Sequence, residues 1–145
     1  MSDYIPTESV EQQCLFNWAK LREARYPELA LMFHIPNGGK RNIAEATRFK
    51  AEGVKAGVPD ICLPVPRDTY HGLWIELKRT KHGTVSEHQK KWLKELNTQG
   101  YCAVVCHGWV EVSKVIISCK IVFFHKRTDL KGLIEAWNRR ADATT

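Results

Sequence analysis

Two short motifs constrain this chain more than any other feature. The first is Gly57-Val58-Pro59-Asp60, and the second is Ile75-Glu76-Leu77-Lys78, whose acid follows Asp60 by sixteen residues. Side chains two apart on a strand share a face, so Glu76 and Lys78 are predicted to project together while their apolar neighbours face the core. The second motif therefore predicts a strand that presents an anion and a cation side by side.

The segment between the two motifs predicts the turn of an antiparallel hairpin. It is rich in proline, aspartate and glycine, and its centre lies near Thr69. That register would place Asp60 opposite Lys78 and diagonal to Glu76, with neighbouring Cβ atoms about 5 to 8 Å apart. One divalent ion could bridge two carboxylates at such a separation, and two acids with a lysine are the set that a metal-dependent phosphodiesterase needs.

Length and composition favour one domain. The chain has 145 residues, of which 43% are hydrophobic, enough for one buried core but not for two ordinary domains. We expect a single domain over residues 1–125 and a basic extension over 126–145. No run approaches the roughly 18 apolar residues of a membrane span. The five cysteines are scattered along the chain, which favours reduced, buried thiols over a zinc site. These features predict a soluble, cytoplasmic protein.

The charge balance is compatible with nucleic-acid binding. Lysine and arginine total 22 against 16 acids, a net charge of +6. Cations can hold phosphates while a carboxylate cluster holds a metal ion, which is the combination that a nucleic-acid enzyme requires. Charge alone does not establish such a function, because many basic proteins bind nothing specifically.

The first predicted helix contains two acids that could face the site. Thr7 or Ser9 can cap this helix, and Glu11 lies at the border of its apolar stripe. Glu11 is either a solvated acid that the helix dipole favours or a further acid that faces the metal. Glu8 lies one turn earlier on a similar face, so the choice between the two stays open.

A glycine-containing loop follows an apolar run, residues 29–35, that predicts a short strand. Its candidate substrate contacts are His34, Asn37, Gly38, Gly39, Lys40 and Arg41. Glycines allow close approach of a ligand, and cations before a helix that runs from Asn42 to about Glu52 favour phosphate binding. A plain turn before a capped helix, with His34 an ordinary half-buried histidine, is the alternative.

Two more elements are predicted after the hairpin. A polar loop carries Lys81, a candidate DNA contact, and Ser86 with Gln89 has the spacing of a capping box at the start of a helix. Gln89 is either this cap, a residue that faces the metal, or both. Residues 101–106 predict a buried strand, whereas residues 110–124 fit neither the helical nor the strand period and leave both open.

Several motifs in order resemble the VRR-NUC family, the virus-type replication and repair nuclease branch of the PD-(D/E)XK phosphodiesterases. They comprise Glu11-Gln12, the segment from His34 to Gly39, the two acidic motifs, Ser86 with Gln89, and Gly100-Tyr101. The resemblance runs from about Glu8 to Trp109 and implies a restriction-endonuclease-like α/β core with a mixed central sheet flanked by helices. Short stand-alone members resemble phage nucleases.

The resemblance also implies a site and an activity. Mg²⁺ or Mn²⁺ would be held by Asp60, Glu76 and the backbone carbonyl of Leu77, with Glu11 contributing from the first helix. Lys78 would orient or deprotonate the attacking water or offset phosphate charge, and Gln89 would support the site. The implied function is that of a DNA endonuclease in a bacterial or phage-infected cell.

Two hypotheses from different classes follow. The first is a metal-dependent endonuclease that is selective for branched DNA in DNA repair, with Holliday junction resolution by a homodimer as its most specific form. The second is a non-catalytic DNA-binding protein in which the acids and the lysine of the hairpin form only an ion pair.

Overall fold

The computed structural model describes residues 4–37 and 42–121 of the chain. Along the sequence it contains α1 (Glu8–Arg22), a 3-10 helix (Pro27–Leu31), β1 (Phe33–His34), α2 (Ile43–Ala51), β2 (Ile61–Leu63), β3 (Leu73–Lys78), α3 (Glu87–Thr98), β4 (Cys102–His107) and α4 (Trp109–Ile121).

Three helices begin at polar caps, of which the sequence predicts those at Thr7 and Ser86. The Thr7 side chain accepts a hydrogen bond from the Val10 amide at 3.3 Å, and that of Asn42 accepts one from Glu45 at 2.8 Å. Ser86 and Gln89 form the reciprocal capping box at the start of α3. Each cap satisfies amide groups that the first turn of a helix leaves without a partner.

The four strands form one mixed sheet in the order β1, β2, β3, β4. The β1–β2 and β2–β3 pairs are antiparallel, whereas β4 runs parallel to β3 and is reached through α3. This arrangement confirms the predicted α/β fold with a mixed central sheet.

The predicted register of the hairpin is wrong by two residues. Ile61 faces Ile75 and Leu63 faces Leu73, so continuing β2 back by one residue places Asp60 across from Glu76 rather than Lys78. The hairpin tip explains the difference. Arg67 and Tyr70 exchange two backbone hydrogen bonds there, and the segment from this pair back to β2 is one residue longer than the segment from it forward to β3. A shift by an even number of residues leaves each side chain on the same face of the sheet. Asp60, Glu76 and Lys78 therefore share one face, as predicted.

Helices cover both faces of the sheet. On one face α1 and α4 contribute Leu15 and Val112 to the main core, which also contains Ile61, Ile75 and Leu77 from the strands. On the other face Leu93 and Leu96 of α3 pack on Ala103. Glu76 lies on the α3 face, where Gln89 at the start of α3 contacts it, and its side chain is fully buried.

Two regions differ from the sequence expectations or complete them. The run over residues 29–35 is a 3-10 helix followed by a strand of two residues, because Pro27 starts a helical turn before the chain reaches the sheet. The ambiguous stretch after residue 109 is a helix, α4.

The predicted extension over 126–145 and the residues from Gly38 to Arg41 lie outside the described ranges. Among the described residues no helix is long and apolar enough to cross a membrane.

Candidate active site

Glu76 is the centre of the candidate site. Its side chain is fully buried, and its Oε1 accepts hydrogen bonds from Lys78 Nζ at 2.7 Å and from Gln89 Nε2 at 2.5 Å. The second oxygen, Oε2, is also buried, and no described residue provides it with a hydrogen-bond partner. A buried carboxylate oxygen without a partner is costly, so this atom indicates a place for a ligand.

Asp60 is fixed beside Glu76 by its backbone and by its side chain. Its carbonyl accepts hydrogen bonds from the Ile35 amide at 2.7 Å and from His34 Nδ1 at 2.9 Å, and its Oδ2 accepts one from the Leu77 amide at 2.9 Å. Because a carbonyl only accepts, His34 carries its proton on Nδ1 in this contact. The orientation of the Asp60 carboxylate is therefore set by the fold.

Gly57 permits the close turn that leads to Asp60. It has a φ of +84°, and a Cβ at this position would lie 2.8 Å from the backbone carbon of His88. A side chain here would therefore be strained in its own backbone and would also collide with α3. This tight contact explains the glycine of the first acidic motif.

Lys78 is buried beside both acids. Its side chain is 7% exposed, and its Nζ lies 3.8 Å from Glu8 Oε1 as well as 2.7 Å from Glu76. Burial alone would lower the pKa of Lys78, but the hydrogen bond and charge of Glu76, with the charges of Glu8 and Asp60, raise it above its ordinary value. The lysine is therefore a cation at neutral pH.

The environment of Glu76 favours the protonated acid when no cation is bound there. Burial, with the charge and hydrogen bonding of Asp60, outweighs the hydrogen bond and charge of Lys78, which lower the pKa of Glu76, and raises that pKa to about 7. Burial and the neighbouring Asp60 charge thus oppose the ionisation of Glu76, and a divalent cation would relieve this repulsion.

This raised pKa predicts how stability depends on pH. Between the ordinary pKa and about 7, folded Glu76 retains a proton that the unfolded chain releases, so its contribution to the free energy of unfolding falls as pH rises through that window. In metal-free protein we expect Glu76→Gln to reduce this loss. Urea unfolding at pH 5 and pH 7 measures it, and an equal loss of stability in both proteins would contradict the assignment.

Gln89 caps α3 and also contacts Glu76. Its Oε1 accepts a hydrogen bond from the Ser86 amide at 2.8 Å, which leaves its Nε2 to donate to Glu76. The capping box therefore fixes the orientation of the amide, and the start of α3 is tied to the buried acid.

The two roles can be separated by mutation. We expect Gln89→Ala to lower the nuclease activity that the family resemblance implies by about 10- to 100-fold, because Glu76 loses a donor that orients it. Ser86→Ala removes the Oγ that caps α3 but keeps that donor, so it should cost about 1 kcal/mol of stability with little effect on activity. Cleavage assays and thermal unfolding of both variants test this, and equal activity losses would show that only the cap matters.

The two acids of α1 have different surroundings. Glu11 is 4% exposed, and its Oε2 accepts a hydrogen bond from the Trp109 amide at 2.9 Å, where it caps the start of α4. Glu8 is the acid whose carboxylate lies near Lys78. The role of Glu11 as a metal ligand stays a prediction.

The other predicted contacts are distributed around the site. Asn37 Nδ2 donates to the Val58 carbonyl at 2.5 Å, so this residue ties the two loops that flank Asp60. His34 is exposed beside Asp60, and Lys81 is exposed in the loop after β3. Sequence reasoning missed Arg79, which binds two carbonyls before α1, because a single basic residue after a strand has no distinguishing pattern.

The donor set fits a hard divalent cation. Among the described residues no group of three histidine, cysteine, aspartate or glutamate side chains is suited to hold a metal. Two carboxylates, one of them with an unpartnered buried oxygen, are instead the pattern expected for Mg²⁺, which keeps several of its waters. The paired acids thus fit Mg²⁺ or Mn²⁺ better than zinc.

The fold and the order of these residues define the class of protein. A mixed sheet that presents Asp60 directly before β2, and Glu76 and Lys78 on β3, is consistent with a PD-(D/E)XK-like core. The chain belongs to the VRR-NUC family, since the model of the VRR-NUC domain matches residues 4–109.

A solved structure supports this membership. It is described as a VRR_NUC domain protein, is 36% identical in sequence, and superposes with a TM-score of 0.68 over 78% of this chain and 87% of that one. Comparison with curated proteins finds no match.

Proposed function

We propose that this protein is a Mg²⁺- or Mn²⁺-dependent DNA endonuclease that hydrolyses phosphodiester bonds. The observation that carries the proposal is the buried, unpartnered Oε2 of Glu76 beside the fixed Asp60 carboxylate. Membership of a nuclease domain family supports the same chemistry.

Asp60 and Glu76, with the Leu77 carbonyl, would hold the metal ion. When bound, the ion would lower the pKa of a coordinated water and neutralise charge on the scissile phosphate. Because the Leu77 amide and the Lys78 and Gln89 side chains fix the two carboxylates, little reorganisation is needed at the moment of reaction. The role of these neighbours is preorganisation of the acids.

Lys78 has the charge and the place to act in the transition state. Its raised pKa keeps it protonated at neutral pH, so it serves as a cation that offsets charge on the phosphate oxygens rather than as a base. Its ammonium lies 2.7 Å from Glu76, directly beside the proposed metal ligand. This geometry supports a role for the lysine in stabilising charge.

DNA is the substrate that the charge balance supports. The chain has a net charge of +6, exposed His34 contacts the Asp60 carbonyl, and exposed Lys81 lies in the loop after β3. We further propose selectivity for branched DNA through a homodimer, since a two-fold pair of sites suits the symmetry of a four-way junction.

The test is cleavage of labelled four-way junction, flap, duplex and single-stranded DNA with Mg²⁺, Mn²⁺ or EDTA. We expect metal-dependent cuts, placed symmetrically on the junction. Cuts only in unbranched DNA would refute junction selectivity, and binding without cleavage under every ion would favour the non-catalytic alternative. In that alternative no cation is bound, and the buried Glu76 retains its proton below about pH 7 beside Asp60.

A further inference from the structure

The segment before α1 is bound to the end of β3. Arg79, the residue after Lys78, donates from Nε to the Pro6 carbonyl at 3.3 Å and from its guanidinium Nη2 to the Ile5 carbonyl at 3.4 Å. Because Thr7 then caps the helix, Arg79 fixes where α1 begins relative to the strand.

This attachment brings the first residue of α1 to the active-site lysine. Glu8 Oε1 lies 3.8 Å from Lys78 Nζ, so the ammonium is held between Glu8 and the buried Glu76. Glu8 is 47% exposed, whereas Glu76 is fully buried. The lysine therefore has one partner inside the sheet layer and a second partner at the surface.

A second partner is needed to hold the ammonium of a lysine in one position. Its four-carbon stem is flexible, and the ammonium is a compact charge without the planar geometry that would fix its direction. Glu76 Oε1 already accepts from Gln89, so that oxygen alone does not set the position of Nζ. A carboxylate from another element restricts the ammonium to the region between the two acids.

We propose that Glu8 is a positioning residue for Lys78 and that Arg79 seats Glu8 by holding the preceding backbone. The inference rests on the proposed nuclease function and deepens it. Glu8 acts on the direction of the lysine, and it is not a ligand of the metal ion.

The test compares Glu8→Gln and Glu8→Asp with the matched control Ser9→Ala. Ser9 is exposed in the same turn, and its hydroxyl only accepts a hydrogen bond from Gln13 within the helix. We expect Glu8→Gln to lower kcat by about 10-fold or more with little change in KM, and Glu8→Asp to recover part of that loss. Ser9→Ala should cleave at the wild-type rate.

Two readouts without cleavage distinguish positioning from metal binding. In nitrogen-15 NMR of metal-free protein, Glu8→Gln should shift the Lys78 ammonium signal, which is assigned by its loss in Lys78→Arg. Arg79→Met should shift the same signal although Glu8 is intact. Calorimetric titration with Mn²⁺ should give the same affinity for Glu8→Gln as for wild type.

Other results would overturn the proposal. An unmoved ammonium signal with weaker Mn²⁺ binding would make Glu8 a metal ligand, and wild-type cleavage by Glu8→Gln would remove any role in the reaction. The double variant of Glu8 and Arg79 should lose no more activity than Glu8→Gln, because both changes act on one contact. If wild-type protein cuts no DNA, the nuclease function fails, whereas the ammonium shift still decides whether Glu8 positions Lys78.

Discussion

Asp60→Asn is expected to abolish metal-dependent DNA cleavage, with a loss of at least about 10³-fold. Asparagine has nearly the same shape, and its amide oxygen can still accept the hydrogen bond that Asp60 Oδ2 receives from the Leu77 amide. The variant therefore loses a negative charge but keeps its local structure. Single-turnover cleavage with saturating Mn²⁺ measures the effect on the reaction, and Mn²⁺ titration measures the effect on binding.

The matched control for this variant is Asp68→Asn. Asp68 is exposed at the hairpin tip and has a φ of 51°, a conformation that asparagine adopts readily. It undergoes the same chemical change on the same hairpin, so it should fold and cleave as wild type does. Cleavage by folded Asp60→Asn within about 10-fold of the wild-type rate would exclude Asp60 as an essential metal ligand.

Lys78→Met is expected to lower the cleavage rate by about 10²- to 10³-fold. Methionine retains most of the apolar stem but removes the ammonium, while Gln89 continues to donate to Glu76 Oε1. Because Lys78 lowers the pKa of Glu76, its loss raises that pKa further, so Mn²⁺ should bind more weakly near pH 7.

The pH dependence of this variant separates two effects of the lysine. Raising the pH shifts Glu76 toward its ionised form and should recover Mn²⁺ affinity, but it should not recover the cleavage rate if the ammonium stabilises the transition state. Lys94→Met, an exposed change on α3, is the control and should retain wild-type activity. Full recovery of cleavage at high pH would show that Lys78 acts only by lowering the pKa of Glu76.

The common face of the acids and the lysine was predictable from sequence. A strand has a side-chain period of two, so Glu76 and Lys78 must share a face, and an even error in hairpin register left Asp60 on it as well. The helix starts were predictable for a similar reason, since a cap acts within three residues and its side chain is visible in the local sequence.

The remaining parts of the site depend on contacts between distant segments. Glu8 and Glu11 are equivalent in a helical pattern, and they differ only because one lies near Lys78 while the other caps α4. The hydrogen bonds from Arg79 to Pro6 and Ile5 span more than seventy residues, so no local pattern reports them. The helical state of α4 was ambiguous because its apolar residues follow no clear period.

The extra residue near the hairpin tip indicates where the length of this hairpin can change during evolution. Between the Arg67–Tyr70 pair and the Leu63–Leu73 pair, the first arm already accommodates one unmatched residue outside the strands. An insertion at the tip, of odd or even length, therefore leaves the strand register intact. A single insertion within either strand would reverse a face and separate Asp60 from Glu76. Homologues with longer hairpins should therefore have their extra residues at the tip and not within β2 or β3.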